Sequence, residues 1–347
     1  HRVKGAGKGD IALVAYNPFS VMGFTDDIMC DLKKKNVYIY GLQHNLDNIP
    51  NRIPIVLPDK LLVWGLQSFN ASVSNWRYPR HKVIIYPPVR LSYIQQARLN
   101  RFKDKCNVLQ QDARKKLKMP SAGLIFVYCP SSRAHNEDII SRNLHTLSTE
   151  SLQKYIEPIT VYTKGAPTKL PEDGPTSPQS ELSYNKDFFC SLDSIEKEWK
   201  YTKDEFYINL MTAVDGLISP FSTIMYEAMA CGLPVLGISA DKNYNKLVNP
   251  WTYVTRSDYH IQFWACEDVV NCDHIDHFGI ALEKLSTIAL EEKNTKELRL
   301  TRMLDRISKA SYAIDSSTPT GFERLMSIIK AEGSMSIYSQ VAKFIYR

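Results

Sequence analysis

The sequence predicts an α/β protein of two domains, each a parallel sheet with helices packed on it. Its 347 residues are enough for two domains of ordinary size. Short apolar strands alternate with helical segments along most of the chain, the pattern of parallel strand–helix–strand units. One stretch, residues 218–239 (ISPFSTIMYEAMACGLPVLGIS), contains such a unit almost entire.

That stretch has a legible internal logic. The apolar approach through Val214, Gly216, Leu217 and Ile218 reads as a short buried strand, and Ser219-Pro220 breaks it. Ser222 or Thr223 then caps a helix over residues 224–231. Gly232 stands where a helix end favours a left-handed residue, and Pro234 forbids continuation. Residues 233–238 form a second strand, apolar on both faces as a central parallel strand should be. The helix start combines hydroxyls, free backbone N–H groups and the positive dipole end, a set that suits a phosphate. Glu227 shares a helix face with Thr223 at i, i+4 and is able to accept from a pair of ribose hydroxyls.

Upstream, residues 11–16 (IALVAY), 37–42, 60–64 and 83–86 read as four strands. Helices are expected at residues 21–35 and 67–76, and one long charged helix at 93–118. The run Met119-Pro120-Ser121-Ala122-Gly123 reads as a linker, which places a first domain at residues 1–118 and a second at 119–347. The second opens with a strand at 124–129 and has another at 159–163, a Pro/Ser/Thr-rich loop at 166–180 and a helix at 202–212. A short strand at 251–254 follows, and from His277 the chain reads mostly as helix, the last helix returning to the first domain.

Composition narrows the function classes. An apolar fraction of 44% with 23% charged residues is that of a water-soluble globular chain, and no run reaches the length of a membrane span. Seven cysteines, odd in number and scattered, point to a reducing, cytoplasmic compartment rather than a disulfide framework. The sequon Asn70-Ala71-Ser72 is too common a pattern to argue otherwise. Residues 1–118 hold 20 Lys and Arg against 8 Asp and Glu, whereas the remainder holds 23 against 29. The basic first region suits an anionic partner: a lipid headgroup at the inner face of a membrane, a lipid-diphosphate or an acidic polysaccharide. A solvated basic surface is the plainer reading. Nothing matches the motifs of nucleic-acid binding. Gly5-Ala6-Gly7-Lys8-Gly9 fails as a phosphate loop, because Gly9 follows the lysine and no strand precedes it.

The segment Glu227-Ala228-Met229-Ala230-Cys231-Gly232-Leu233-Pro234-Val235 resembles the donor-binding element E-A-x-A-x-G-x-P-V of GT-B glycosyltransferases. Ser219 stands where many retaining members carry a further glutamate, so the chain is more similar to the groups with S-x-x-S-T before the helix, among them capsule and lipopolysaccharide sugar transferases and teichoic-acid polymerases. The resemblance implies two Rossmann-like domains facing across a cleft. Four strands are few for the first domain of that fold, which is expected to be either compact or N-terminally truncated. It implies transfer of a sugar from a nucleotide-activated donor to a glycan or lipid-linked acceptor, in surface polysaccharide or glycoconjugate synthesis. The alternatives are a nucleotide-sugar epimerase of the same fold and a non-catalytic carbohydrate- or lipid-binding subunit.

On this resemblance the donor site comprises Ser131, Ser132 and Arg133 after the first strand of the second domain, Lys164 after the next, and Ser219, Ser222, Thr223 and Glu227. Gly41-Leu42-Gln43-His44-Asn45 resembles the Q-H-G segment of capsule and teichoic-acid transferases, with Asn45 in place of glycine. His44 is a candidate general base, with Asp26 and Asp27 as alternatives, though a histidine that only orients a loop or grips phosphate fits equally. Arg90, in Pro88-Val89-Arg90, is a candidate for acceptor or donor phosphate. No cofactor and no metal are expected: there is no D-x-D motif, and cations with a helix N-terminus can meet the leaving charge. Cys266, Cys272, His274 and His277, with His260 near, have no recognised zinc spacing and read as packing.

Overall fold

The computed structural model describes residues 5–16, 24–43, 55–86, 88, 92–129, 159–163, 189–200, 202–219, 222–238, 266–272, 277–310 and 321–331. The chain divides into two compact units, one of residues 1–92 and 311–347 and the other of residues 93–310.

The first unit is a four-stranded parallel sheet in the order β1-β2-β3-β4: β1 (Ile11–Tyr16), β2 (Tyr38–Gln43), β3 (Lys60–Val63) and β4 (Val83–Ile85). Helices α1 (Phe24–Lys34) and α2 (Leu66–Ser74) connect its strands. Its core joins Met29 and Leu32 of α1 to Ile39, Leu61, Val63 and Val83 of the sheet, closed by Trp76 and Tyr78. Gly41 is required in β2, since a Cβ there would lie 2.7 Å from the Pro58 ring. The end of β2 is pinned by buried Gln43, whose Nε2 donates to Ser68 Oγ (3.0 Å) and whose Oε1 accepts from the Trp64 N–H (2.8 Å).

The second unit begins with two helices, α3 (Ser92–Phe102) and α4 (Cys106–Lys116), where the sequence suggests one. The break falls at residues 103–105, and the Cys106 N–H bonds the Lys103 carbonyl. Both helices belong to this unit, so the compact units part at residue 92 rather than at 118. The physical reason is in α4. Buried Arg114 pairs with Asp215 (2.6 Å) and donates to the carbonyls of Ala213 (3.0 Å) and Gly123 (3.2 Å). Asp215 Oδ2 also accepts the Ile125 N–H (2.7 Å). These bonds tie α4 to the starts of two strands of the second sheet.

That sheet is six-stranded and parallel throughout: β5 (Leu124–Tyr128), β6 (Ile159–Thr163), β7 (Phe189–Ser191), β8 (Gly216–Ser219), β9 (Val235–Ile238) and β10 (Val269–Cys272). Its spatial order is β7-β6-β5-β8-β9-β10. Numbered from β5, this is 3-2-1-4-5-6, the order of a dinucleotide-type Rossmann sheet. β7 and β10 have no counterpart among the strands expected from the sequence, and the strand expected at 251–254 lies outside the described residues.

Between strands run α5 (Leu192–Glu198), α6 (Lys203–Ala213) and α7 (Thr223–Ala230), and the sheet is followed by α8 (Phe278–Asn294) and α9 (Lys296–Lys309). Thr202 opens α6 with a reciprocal capping box to Glu205. α8 lays Phe278, Ala281, Leu282 and Leu285 on Phe126, Ile218, Leu236 and Val270 of the sheet. The last described helix, α10 (Gly321–Ala331), belongs to the first unit.

Candidate functional site

In open parallel sheets, ligands bind at the strand C-terminal ends, where the strand order reverses. Here the reversal lies between β5 and β8. β8 ends on Ser219, which is fully buried and donates from Oγ to the carbonyl of Cys129, the residue after β5 (2.6 Å). The hydroxyl therefore clasps the two strands at the point where a ligand crevice is expected to open.

Ser219 Oγ also lies 2.8 Å from Ser222 Oγ. A hydroxyl has one proton. Since that of Ser219 goes to Cys129, Ser222 is the donor in this second bond. Ser222 occupies the N-cap position of α7, but its side chain makes no capping bond. This corrects the capping role expected for it: the hydroxyl faces Ser219 rather than the first-turn N–H groups of α7. A first turn not capped by its own N-cap side chain suits an anion. Thr223, half-buried, is the first residue of the helix.

Glu227 lies one turn further along α7, and the residue is only 6% exposed. Tyr93, in α3, donates its phenolic hydrogen bond to this carboxylate. The Tyr93 ring is held by stacking on Tyr207 of α6, with centroids 5.2 Å apart. Tyr93 has no local motif, and the sequence alone could not have found it.

The rear of α7 is fixed by arginines. Arg98 Nε donates to the Ala230 carbonyl (2.8 Å), and Arg306 donates twice to the Gly232 carbonyl (3.1 and 2.9 Å). Both satisfy carbonyls that a helix end leaves unpaired, and both put positive charge at the negative dipole end. Arg306, fully buried, also grips Glu292 of α8 in a bidentate pair (2.7 and 2.8 Å). Gly232 adopts φ +85°, and a Cβ would come 2.7 Å from Met303 of α9, so the expected glycine stop also marks a close helix contact. Burial pushes the Cys231 thiol beside it up to about 12, partly offset by Arg98 and Arg101.

Ser219, Ser222, Thr223 and Glu227 are thus gathered on β8 and α7. Ser131, Ser132 and Arg133, which follow β5 in sequence, and Lys164, which follows β6, lie outside the described residues. So do His44 and Arg90; the residue before His44 is the pinned Gln43. Asp26 and Asp27 are in the first turn of α1, as helix N-terminal charge should be. Asp26 Oδ1 accepts the backbone N–H groups of Ile55 (3.2 Å) and Val56 (3.3 Å), while Asp27 is exposed.

Among the described residues no group of three or more His, Cys, Asp or Glu is arranged to hold a metal ion. Cys272 is buried in the sheet core, and the Cys266 thiol donates to Asp305 (3.4 Å). His274 and His260 are outside the described residues. No described helix is long and apolar enough to cross a membrane.

No protein-family model matches the chain, and no curated protein sequence matches it. Solved structures do. One of the wall teichoic acid polymerase TagF aligns with 97% of this chain and 74% of its own, at 13% identity and a TM-score of 0.51. A structure from Listeria monocytogenes, provisionally described as a UDP-N-acetylglucosamine 2-epimerase, aligns with 93% of this chain and 73% of its own, at 11% identity and a TM-score of 0.52. The chain has the fold of the GT-B class, two Rossmann-like α/β units.

Proposed function

We propose that the protein is a glycosyltransferase that moves a sugar from a nucleotide-activated donor to a glycan or lipid-linked acceptor in surface polysaccharide or glycoconjugate synthesis. What supports this reading most is the meeting of Ser219, Ser222, Thr223 and Glu227 at the reversal point of a 3-2-1-4-5-6 sheet. The donor diphosphate faces the first turn of α7, where backbone N–H groups and the Thr223 hydroxyl meet its charge. Ser219 and Ser222 act by shaping that turn. Glu227 takes the ribose hydroxyls, its carboxylate oriented by Tyr93.

In the transfer step the acceptor hydroxyl oxygen bonds to the anomeric carbon as the bond from that carbon to the diphosphate oxygen breaks. The hydroxyl proton goes to His44, and the nucleoside diphosphate leaves with the bonding pair. Arg133, Lys164 and the α7 N-terminus stabilise that leaving charge, Ser131 and Ser132 hold the phosphates, and Arg90 serves acceptor or donor phosphate. No metal is needed in this scheme. Asp26 is engaged with the 55–56 backbone, so His44 is assigned as base ahead of Asp26 and Asp27. We assign a cytoplasmic location, with the basic first region meeting an anionic membrane surface at its inner face, and no role with nucleic acid.

The test is incubation with UDP-, GDP-, CDP- and ADP-sugars, with and without lipid-linked acceptors, following nucleotide release. Release that depends on acceptor supports the transferase. Release of UDP from a UDP-sugar without acceptor, accompanied by a changed sugar configuration, would instead make it an epimerase. Glycan binding with no nucleotide binding by calorimetry would make it a non-catalytic subunit.

A further inference from the structure

A second polar pocket lies within the same unit, at the opposite edge of the sheet. It is bounded by the α3–α4 break, the end of α6, the residue just before β8, the end of α8 and the start of α9. Asp215 at this edge and Ser219 at the donor edge are separated by the length of β8, roughly 13 Å at the usual rise of a strand. The cavity is about 40 Å³. Water needs roughly 10–15 Å³ of such space, so the room is that of about three water-sized groups. This is the scale of one tetrahedral oxyanion and far below that of a nucleotide.

Three cations line it: Arg101 from α3, Lys293 from α8 and Arg299 from α9, with Asn107 beside them. The lining also holds two carboxylates, but each is already bonded to an arginine that is not part of the wall. Asp215 is held by Arg114 at 2.6 Å, and Glu292 by Arg306 at 2.7 and 2.8 Å. Three cations thus line the cavity beside two carboxylates that arginines behind the wall already hold. The Nε atoms of Arg101 and Arg299 are both buried, and neither has a hydrogen-bond partner among the described residues. A buried guanidinium N–H without an acceptor costs free energy. Arg101 is held in place by donation from Nη1 to the Val214 carbonyl (3.2 Å). Burial lowers its pKa, an effect that the nearby carboxylates of Glu292 and Asp215 partly offset.

We propose that this pocket binds a phosphate group, with Arg101 and Arg299 donating to its oxygens and Lys293 supplying further positive charge. The site is independent of the donor site and does not rest on the glycosyltransferase reading. The phosphate is that of a free anion, a soluble phosphomonoester or a lipid headgroup, all of which present the same oxygens.

The experiment is titration of the whole chain with inorganic phosphate, at constant ionic strength balanced with chloride, read by thermal shift and calorimetry. The expected result is a saturable rise in melting temperature. Arg299→Gln should weaken the affinity at least tenfold, Lys293→Gln should weaken it severalfold, and the exposed-helix control Lys284→Gln should leave it unchanged. Absence of saturable stabilisation, or wild-type affinity in Arg299→Gln, overturns the proposal. If Arg299→Gln does not fold, wild-type affinity in Lys293→Gln overturns it. Competition by glycerol phosphate, lost in Arg299→Gln, assigns a soluble ester. Sedimentation with phosphatidic-acid vesicles, lost in the same variant, assigns a lipid headgroup.

Discussion

The phenol of Tyr93 in α3 donates its hydrogen bond to the carboxylate of Glu227 in α7, across 134 residues of sequence. The bond fixes the face of the helix on which the candidate ribose ligand stands. Hydrogen bonds to charged groups are worth about 1.5–3 kcal/mol. Tyr93→Phe should therefore lower unfolding free energy by up to that amount and weaken nucleotide binding. If affinity is unchanged while stability falls, the bond is purely architectural and Glu227 does not face the nucleotide.

Arg114 and Asp215 form a buried pair that ties α4 to β5 and the start of β8. Removing one partner of such a pair costs about 3–5 kcal/mol, because the other is left charged and dry. Arg114→Ala and Asp215→Ala should each lower the unfolding free energy, measured by denaturant titration, by that amount. The double substitution should cost less than the two losses added together. Strict additivity would show that the pair is not coupled.

The pH dependence of stability should carry the mark of buried thiols. Burial raises Cys231 and Cys266 from an ordinary 9.0 to about 12 each. Between those values the folded chain holds protons that the unfolded chain has released, so stability falls as pH rises. Melting temperature should decline from about pH 9 upward, and Cys231→Ala should flatten the decline. At pH 8 iodoacetamide should label exposed Cys30 well before either buried thiol. Rapid native-state labelling of Cys231 would contradict this packing.

The catalytic assignment makes its own prediction. His44→Ala should lower turnover by ~10²–10⁴ with little change in nucleotide affinity, and should abolish an ascending pH–rate limb near ~6.5. Loss of affinity with the limb retained would move the base to Asp26 or Asp27. Activity should also survive EDTA; loss restored by Mg²⁺ or Mn²⁺ would contradict leaving-group stabilisation by protein groups alone.

Much of the second unit was legible because its signals are local. Gly232, Pro234 and the hydroxyls before α7 mark turn and helix ends by their own chemistry, and the apolar run of β9 announces a central strand. The bonds that orient these parts are not local. Tyr93 with Glu227, Arg114 with Asp215, and Arg306 with Glu292 and Gly232 join residues far apart in the chain or on different elements. An arginine in a charged helix reads as solvated until its partner is known, and this is why the single charged helix expected at 93–118 falls to the first domain on sequence alone. The three-residue β7 and the four-residue β10 are too short to carry a pattern that sequence reading can detect. Even the capping of α7 turned on tertiary context, since Ser222 faces Ser219 instead of its own helix.

The central claim is that the α7 N-terminus, at the β5–β8 reversal, holds a nucleoside diphosphate. Calorimetric titration of the whole chain with UDP, GDP, CDP and ADP tests it most directly, with Glu227→Ala titrated alongside. The account predicts that at least one of them binds saturably, and that the variant, folded by circular dichroism, loses about 1.5–3 kcal/mol of that binding. No binding by any of the four, or equal affinity in the folded variant, would contradict it.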